Sequence, residues 1–239
     1  MTITSPHNPK LKEIRRLARR REREREGLFV AEGEDLLAAA DAAGWPAVHR
    51  VVAAGSGLVG EEVEAELLAD VSALGSGTRA IGVFERRWAA PAGPLCVALW
   101  GVGDPGNVGT VLRAALAFRA ASIALGPGCA DPFGPKAVRA SMGAVFAVPL
   151  ARVRALEELP GRRLALVAHA GEPLRGPAQD ELSLLVGAER DGLPPEVVAA
   201  ADAVGRIPIA SESLNAAMAA TVALYELTRG VVPDGGSRC

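Results

Sequence analysis

Aromatic residues are scarce, with one Tyr, three Trp and five Phe making up 4% of 239 residues. A broad aromatic platform for stacking bases is therefore not expected, and aliphatic side chains must fill the cores. Cysteine is nearly absent: Cys96, Cys129 and Cys239 show no C-x-x-C spacing and no nearby His. That pattern indicates neither a disulfide framework nor a zinc site, and no metal is expected. No apolar run approaches the roughly 20 residues that a spanning helix needs. No apolar segment precedes the N-terminal charges either, so neither a membrane partner nor a secretory signal is expected and the protein is read as cytoplasmic.

What is present is a chain that is 49% hydrophobic, long enough for one large or two small domains. Its formal net charge of −2 hides a strong asymmetry. Between Lys10 and Arg25 stand nine basic residues against three Glu, so the remainder of the chain is distinctly acidic. Separated charge of this kind suggests a polyanion-binding arm on an acidic body. Lys10, Arg15, Arg16, Arg19 and Arg20 are the candidate contacts; a solvated helix with Glu/Arg pairs is the competing reading, which the run REREREG supports.

Asn8 and Pro9 predict a helix start, and Leu11, Ile14 and Leu17 give that helix one apolar stripe. LFVAEG, HRVVAAG and RAIGVF read as strands, and EDLLAAADAAG as a helix closed by Gly44. A small α/β unit to about Phe84 follows from this alternation. ERRWAAPAGP is the expected linker, which gives domains at 1–88 and 94–232. Behind it come strand PLCVALW, helix NVGTVLRAALAF, strand ASIALG, helix PKAVRASMG, strand VFAVPL, a further helix and strand LALVAHA.

The stretch from Leu184 to Leu227 organises the second domain. It reads as a buried strand, a Gly-containing loop, a short helix, a strand stopped by Pro208, and a polar loop that opens into a long apolar helix. In an open parallel sheet, ligands bind outside the carboxyl ends of the strands. Glu189, Ser211, Glu212, Ser213 and Asn215 lie where chemistry is expected. Purely structural roles compete: turns at Gly187 and Gly192, a helix start at Pro194 and Pro195, and an N-cap at Ser213.

Gly101, Gly103 and Gly106 form G-x-G-x-x-G between a strand and a helix, the setting of a dinucleotide pyrophosphate site. An NAD(P)-dependent oxidoreductase is thus the rival reading. It requires an acidic residue at the end of the second strand. ASIALGPG ends without one, and the next acid is Asp131.

The succession GAE, G-L-P-P-E, R-I-P-I and S-L-N resembles the SpoU or TrmH-like branch of the SPOUT RNA 2′-O-ribose methyltransferases. D-P-G-N-V-G-T-V-L-R is similar to that family's first motif, and NPKLKEIRRLARRREREREGLFVAEGEDLL, with Glu32 and Gly33, resembles the L30e-like substrate-binding module that precedes many such domains. The resemblance implies an α/β fold with a trefoil knot tied by the last strands and helix, S-adenosylmethionine as methyl donor, a homodimer and an RNA partner, ribosomal rather than transfer RNA. It implies that Asn107, Arg113, Glu189, Ser213 and Asn215 serve the reaction, and that Gly187, Ile207, Ile209 and Leu214 line the cofactor site. A guanidinium keeps its proton at neutral pH and is not readily a base, so Arg113 is expected to clamp and orient. Lys136, Arg139 and Ser141 are plausible for holding RNA phosphate, with surface placement the simpler account. One departure stands after S-L-N, where this chain has Ala217 in place of a Ser found in many relatives. An RNA-binding homologue that has lost catalysis is the other alternative.

Overall fold

The computed structural model describes residues 2–73 and 77–230, so Cys239 and the expected domain end at 232 lie outside the described residues. The chain forms two compact units. One holds Met1–Arg87 together with Asp131–Ala147, and the other holds Trp88–Ala130 with the chain from Val148 onward.

In the first unit, Asn8 caps α1 (Pro9–Leu17) by accepting from the Lys10 amide. The expected stripe is realised: Leu11, Ile14 and Leu17 are buried with Val30, Val51, Val63, Ile81 and Val83. The basic run breaks at Arg19 and resumes as α2 (Arg20–Glu26). Strands β1 (Leu28–Glu32), β2 (Ala47–Ala53), β3 (Glu61–Val63) and β4 (Ala80–Glu85) form a sheet of order β1-β4-β2-β3. Helices α3 (Glu34–Ala42) and α4 (Ala65–Val71) complete the alternation.

Strand side chains alternate between faces, and here both faces are covered. Ile81 and Val83 face the α1 side, while Phe84 joins Phe29, Trp45, Phe133 and Phe146. The scarce aromatics are therefore spent on a core. That core also takes in a later segment of the chain. Residues 131–147, with α6 (Pro135–Ser141) and α7 (Ala144–Ala147), group with the first unit. Phe133 and Phe146 set their ring centroids 4.9 and 5.7 Å from Phe29. The buried Asp131 carboxylate sits 2.9 Å from the buried Arg23 guanidinium and 3.7 Å from that of Arg86.

The second unit is a parallel sheet of order β7-β6-β5-β10-β8-β11-β9. Its strands are β5 (Leu95–Leu99), β6 (Ser122–Leu125), β7 (Leu150–Arg152), β8 (Arg162–Leu166), β9 (Glu172–Pro173), β10 (Leu182–Val186) and β11 (Ala203–Arg206). The central β5, β6 and β10 are buried throughout, as expected of parallel strands covered on both faces. Helix α5 (Pro105–Ala117) packs against α9 (Ala216–Thr228), and α8 (Pro195–Ala199) starts with Pro195 at its first position.

Two expected elements differ. VFAVPL is not one strand: Val145 and Phe146 belong to α7, with Phe146 drawn into the aromatic core, and the strand begins only at Leu150. The helix expected after it is a single 3-10 turn, Leu156–Glu158. Glu158 folds its carboxylate back onto the amides of Arg154 and Ala155 at 2.7 and 3.0 Å, and Pro160 follows at once.

Candidate active site

Strands β8, β10 and β11 are parallel, so their carboxyl ends open on the same side of the sheet. There the loops 166–170, 186–193 and 207–214 and the first turns of α9 enclose a cavity of about 550 Å³. Gly187, Ile207, Ile209, Ser213 and Leu214, all expected at a site, line it together with Glu189 and Glu212. Gly187 is required by close approach, because a Cβ there would lie 2.2 Å from the Gly192 carbonyl carbon. Ala188 and Gly192 close this loop with reciprocal backbone bonds of 3.0 and 3.1 Å.

Three polar side chains are joined at the edge of the cavity. Asn107 Nδ2 donates to Glu189 Oε1 at 2.5 Å, and Asn215 Nδ2 donates to Asn107 Oδ1 at 3.1 Å. Asn215 Oδ1 in turn accepts from the Ala217 and Met218 amides at 2.9 and 3.3 Å. Asn215, not Ser213, is therefore the N-cap of α9: its extended backbone and short amide satisfy the orphan amides of the first turn. Among the described residues Ser211 makes only a bond of 3.3 Å to the Ser213 carbonyl, and it does not line the cavity. Arg113 is not brought into the cluster. It is exposed on α5 and makes no hydrogen bond or ion pair among the described residues, which removes the reading of a buried, carboxylate-paired Arg.

Sequence reasoning missed Asp104, Leu166 and His169. Asp104 accepts from the Asn107 amide at 3.0 Å and caps α5, a role that the Asp-Pro pair signals. Leu166 and His169 line the cavity from the end of β8, a placement that depends on strand order and leaves no local signal. The glycine-rich loop is not built for a dinucleotide. The Asp104 carboxylate occupies the helix start where a pyrophosphate would rest, and β10 is inserted between β5 and β8, against the order of that fold. Burial pushes the Cys96 and Cys129 thiols up, so neither is poised as a nucleophile. Among the described residues there is no group that could hold a metal ion and no helix long and apolar enough to cross a membrane.

In the first unit, Lys10 pairs with Glu61, Arg15 with Asp70 and Arg20 with Glu24. Arg16 and Arg19 are exposed, and their side chains make no hydrogen bond or ion pair among the described residues. Lys136 and Arg139 are exposed on α6, whereas Ser141 is fully buried and donates to the Val138 carbonyl at 2.7 Å, which removes it as a phosphate contact.

Residues 94–225 match the SpoU rRNA Methylase family, and residues 8–83 match the MRM3-like substrate binding domain. The chain belongs to the SpoU family. A protein of Synechocystis named as a tRNA/rRNA methyltransferase is 31% identical over 95% of this SpoU chain and 93% of its own length. A tRNA/rRNA methyltransferase of Mycobacterium tuberculosis is 33% identical over 76% of this chain, which spans only 60% of that protein. The 23S rRNA (guanosine(2553)-2′-O)-methyltransferase of Bacillus subtilis is 33% identical over 53% of this chain and 54% of its own length. Among solved structures, the AdoMet-bound rRNA methyltransferase from Sinorhizobium meliloti superposes with a TM-score of 0.84 at 31% identity, covering 97% of this chain and 98% of that one. The AdoMet complex of the SpoU methyltransferase AviRb from Streptomyces viridochromogenes gives 0.83 at 26% identity, covering 95% and 99%.

Proposed function

We propose that this protein transfers the methyl group of S-adenosylmethionine to a ribose 2′-hydroxyl of structured RNA, ribosomal RNA in the first place, and does so in the cytoplasm. The observation that carries the reading is the cavity at the ends of β8, β10 and β11 with the Asn107–Glu189–Asn215 cluster at its edge. Its residues fit the donor. Leu166, Ile207, Ile209 and Leu214 offer apolar walls to a purine, and the side-chain-free Gly187 lets backbone groups approach. Glu189, Asp191 and Glu212 outnumber Arg190 on the lining, so the balance of charge favours a cationic sulfonium and ammonium over the two phosphates of a nicotinamide dinucleotide.

When bound, S-adenosylmethionine supplies an electrophilic methyl group. The chain's own residues must position the ribose hydroxyl in line and stabilise the charge that develops as its proton leaves. Arg113 takes that role as an always-charged guanidinium with no partner among the described residues. Ser213 holds the target nucleotide's sugar or phosphate, Asn215 fixes the start of α9, and Glu189 fixes the loop. The same reading includes a trefoil knot tied by the last strands and α9.

The reading also includes a homodimer. Leu116 on α5 and Met218, Val222 and Tyr225 on α9 are exposed apolar side chains, and Arg113 lies one turn from Leu116. A second copy seated there would border Arg113. The first unit is the substrate-binding module, with Arg16, Arg19, Lys136 and Arg139 offered to phosphate.

Calorimetric titration with S-adenosylmethionine and NADH, then tritiated methyl transfer to unmodified total RNA with nuclease mapping, tests this reading. Binding of the methyl donor and label on a ribose are expected. Binding of NADH alone, or label on a base, would overturn it. Arg113→Lys is expected to lose about 100-fold in transfer with an unchanged melting temperature, since an exposed residue with no partner among the described residues contributes little to stability.

A further inference from the structure

We infer that Asn107 and Asn215 form a one-way hydrogen-bond relay whose direction is set by the start of α9, and that Asn215 is a positioning residue for Glu189 acting through Asn107. The inference rests on the reading of the cavity as the cofactor site only for its functional consequence. The geometry stands by itself.

An amide side chain has one accepting and one donating end, and which end points where follows from its neighbours. Asn215 Oδ1 is claimed by the Ala217 and Met218 amides, which only donate. Its Nδ2 must therefore face Asn107, whose Oδ1 receives it at 3.1 Å. Asn107 is then left with Nδ2 toward Glu189, whose carboxylate only accepts, at 2.5 Å. Every link is satisfied in this one direction. Asp104, holding the Asn107 amide, anchors the middle of the relay to α5. The loop after β10, the start of α5 and the start of α9 are thereby locked in one register, with the half-buried Glu189 held by a charge-assisted bond.

The relay makes Asn215→Asp a severe change although Asp is as good an N-cap as Asn. The introduced carboxylate can still receive the α9 amides, but it has no hydrogen to donate to Asn107. Asn107 must turn its amide group toward that carboxylate, which brings its carbonyl against the Glu189 carboxylate. A second change, Glu189→Gln, supplies a donor to that carbonyl. The double variant Asn215→Asp, Glu189→Gln therefore runs the whole relay backwards, with one negative charge fewer than Asn215→Asp alone.

The experiment is a double-mutant cycle on Asn215→Asp and Glu189→Gln in the full chain, read by thermal unfolding without ligand and by S-adenosylmethionine affinity. Asn215→Asp alone is expected to lower the midpoint by about 2–6 °C and the affinity about 10- to 100-fold, the range of a charge-assisted hydrogen bond. Adding Glu189→Gln is expected to recover most of both losses, to within a few-fold of Glu189→Gln alone. Additive losses in the unfolding cycle would overturn the relay. Failure of the unsubstituted protein to bind S-adenosylmethionine would overturn the cofactor reading and leave the ligand-free cycle as the test of the relay.

Discussion

Substituting Gly187 by Ala places a methyl group inside the tightest part of the cavity loop. The new Cβ would stand 2.2 Å from the Gly192 carbonyl carbon and 2.3 Å from the Leu193 nitrogen, where ordinary contact begins at 3.4 Å. Both obstacles are backbone, so the loop must retreat by about 1 Å and strain the Ala188–Gly192 bonds of 3.0 and 3.1 Å. Overpacking of this kind costs about 1–3 kcal/mol, and losing one of those bonds adds about 1 kcal/mol. A total near 3 kcal/mol lowers the melting temperature by about 6–12 °C in a chain of this size. Gly192→Ala is the internal control. Its φ of +66° is unfavourable for Ala, but nothing lies within 4 Å of the added Cβ, so only the left-handed backbone cost of about 1–2 kcal/mol applies. Thermal unfolding of both variants, with S-adenosylmethionine titrations alongside, should therefore rank Gly187→Ala as the more damaging in stability and in affinity. A Gly187→Ala variant melting within about 2 °C of the parent, or the reverse ranking, would refute the close-approach reasoning.

Asp131→Ala is expected to destabilise the protein by about 3–5 kcal/mol in urea unfolding, because it strands the buried Arg23 guanidinium, now 2.9 Å from its carboxylate. Arg16→Ala and Arg19→Ala should each reduce the salt dependence of RNA binding by about one counterion, whereas Lys10→Ala and Arg15→Ala, whose charges are already paired, should change it less. The Arg163 side chain grips Asp202 at 2.8 and 2.9 Å and holds its carboxyl well below the usual carboxylate range. A depressed value in the folded state means that the contribution is present above the unfolded value of about 3.9 and is lost as the pH falls below it. Asp202→Asn should thus flatten the acid limb of stability against pH and leave the profile above about pH 5 unchanged.

Much of this was legible in the residues. Periodicity at Leu11, Ile14 and Leu17 and the Asn8–Pro9 start are local patterns, and they predict α1 because a helix is specified by its neighbours within one or two turns. The GAE, R-I-P-I and S-L-N loops marked Gly187, Ile207, Ile209 and Leu214 through family resemblance, and all of them line the cavity. The segment VFAVPL misled because β-branched and aromatic residues favour strand locally, while the fate of Phe146 was decided by an aromatic core built from Phe29, Trp45 and Phe84 far away in the chain.

The sequence by itself determined the α/β alternation, the basic arm and the residue types of the site, since each depends on composition and short-range spacing. Only the tertiary structure decided that 131–147 joins the first unit, that Leu166 and His169 line the cavity, that Asn215 rather than Ser213 caps α9, and that Arg113 stands apart from the Asn107–Glu189–Asn215 cluster. Those facts depend on strand order and on contacts between residues as many as 108 positions apart. No local propensity encodes such contacts, because they form only when buried area and paired polar groups outweigh the entropy of closing long loops.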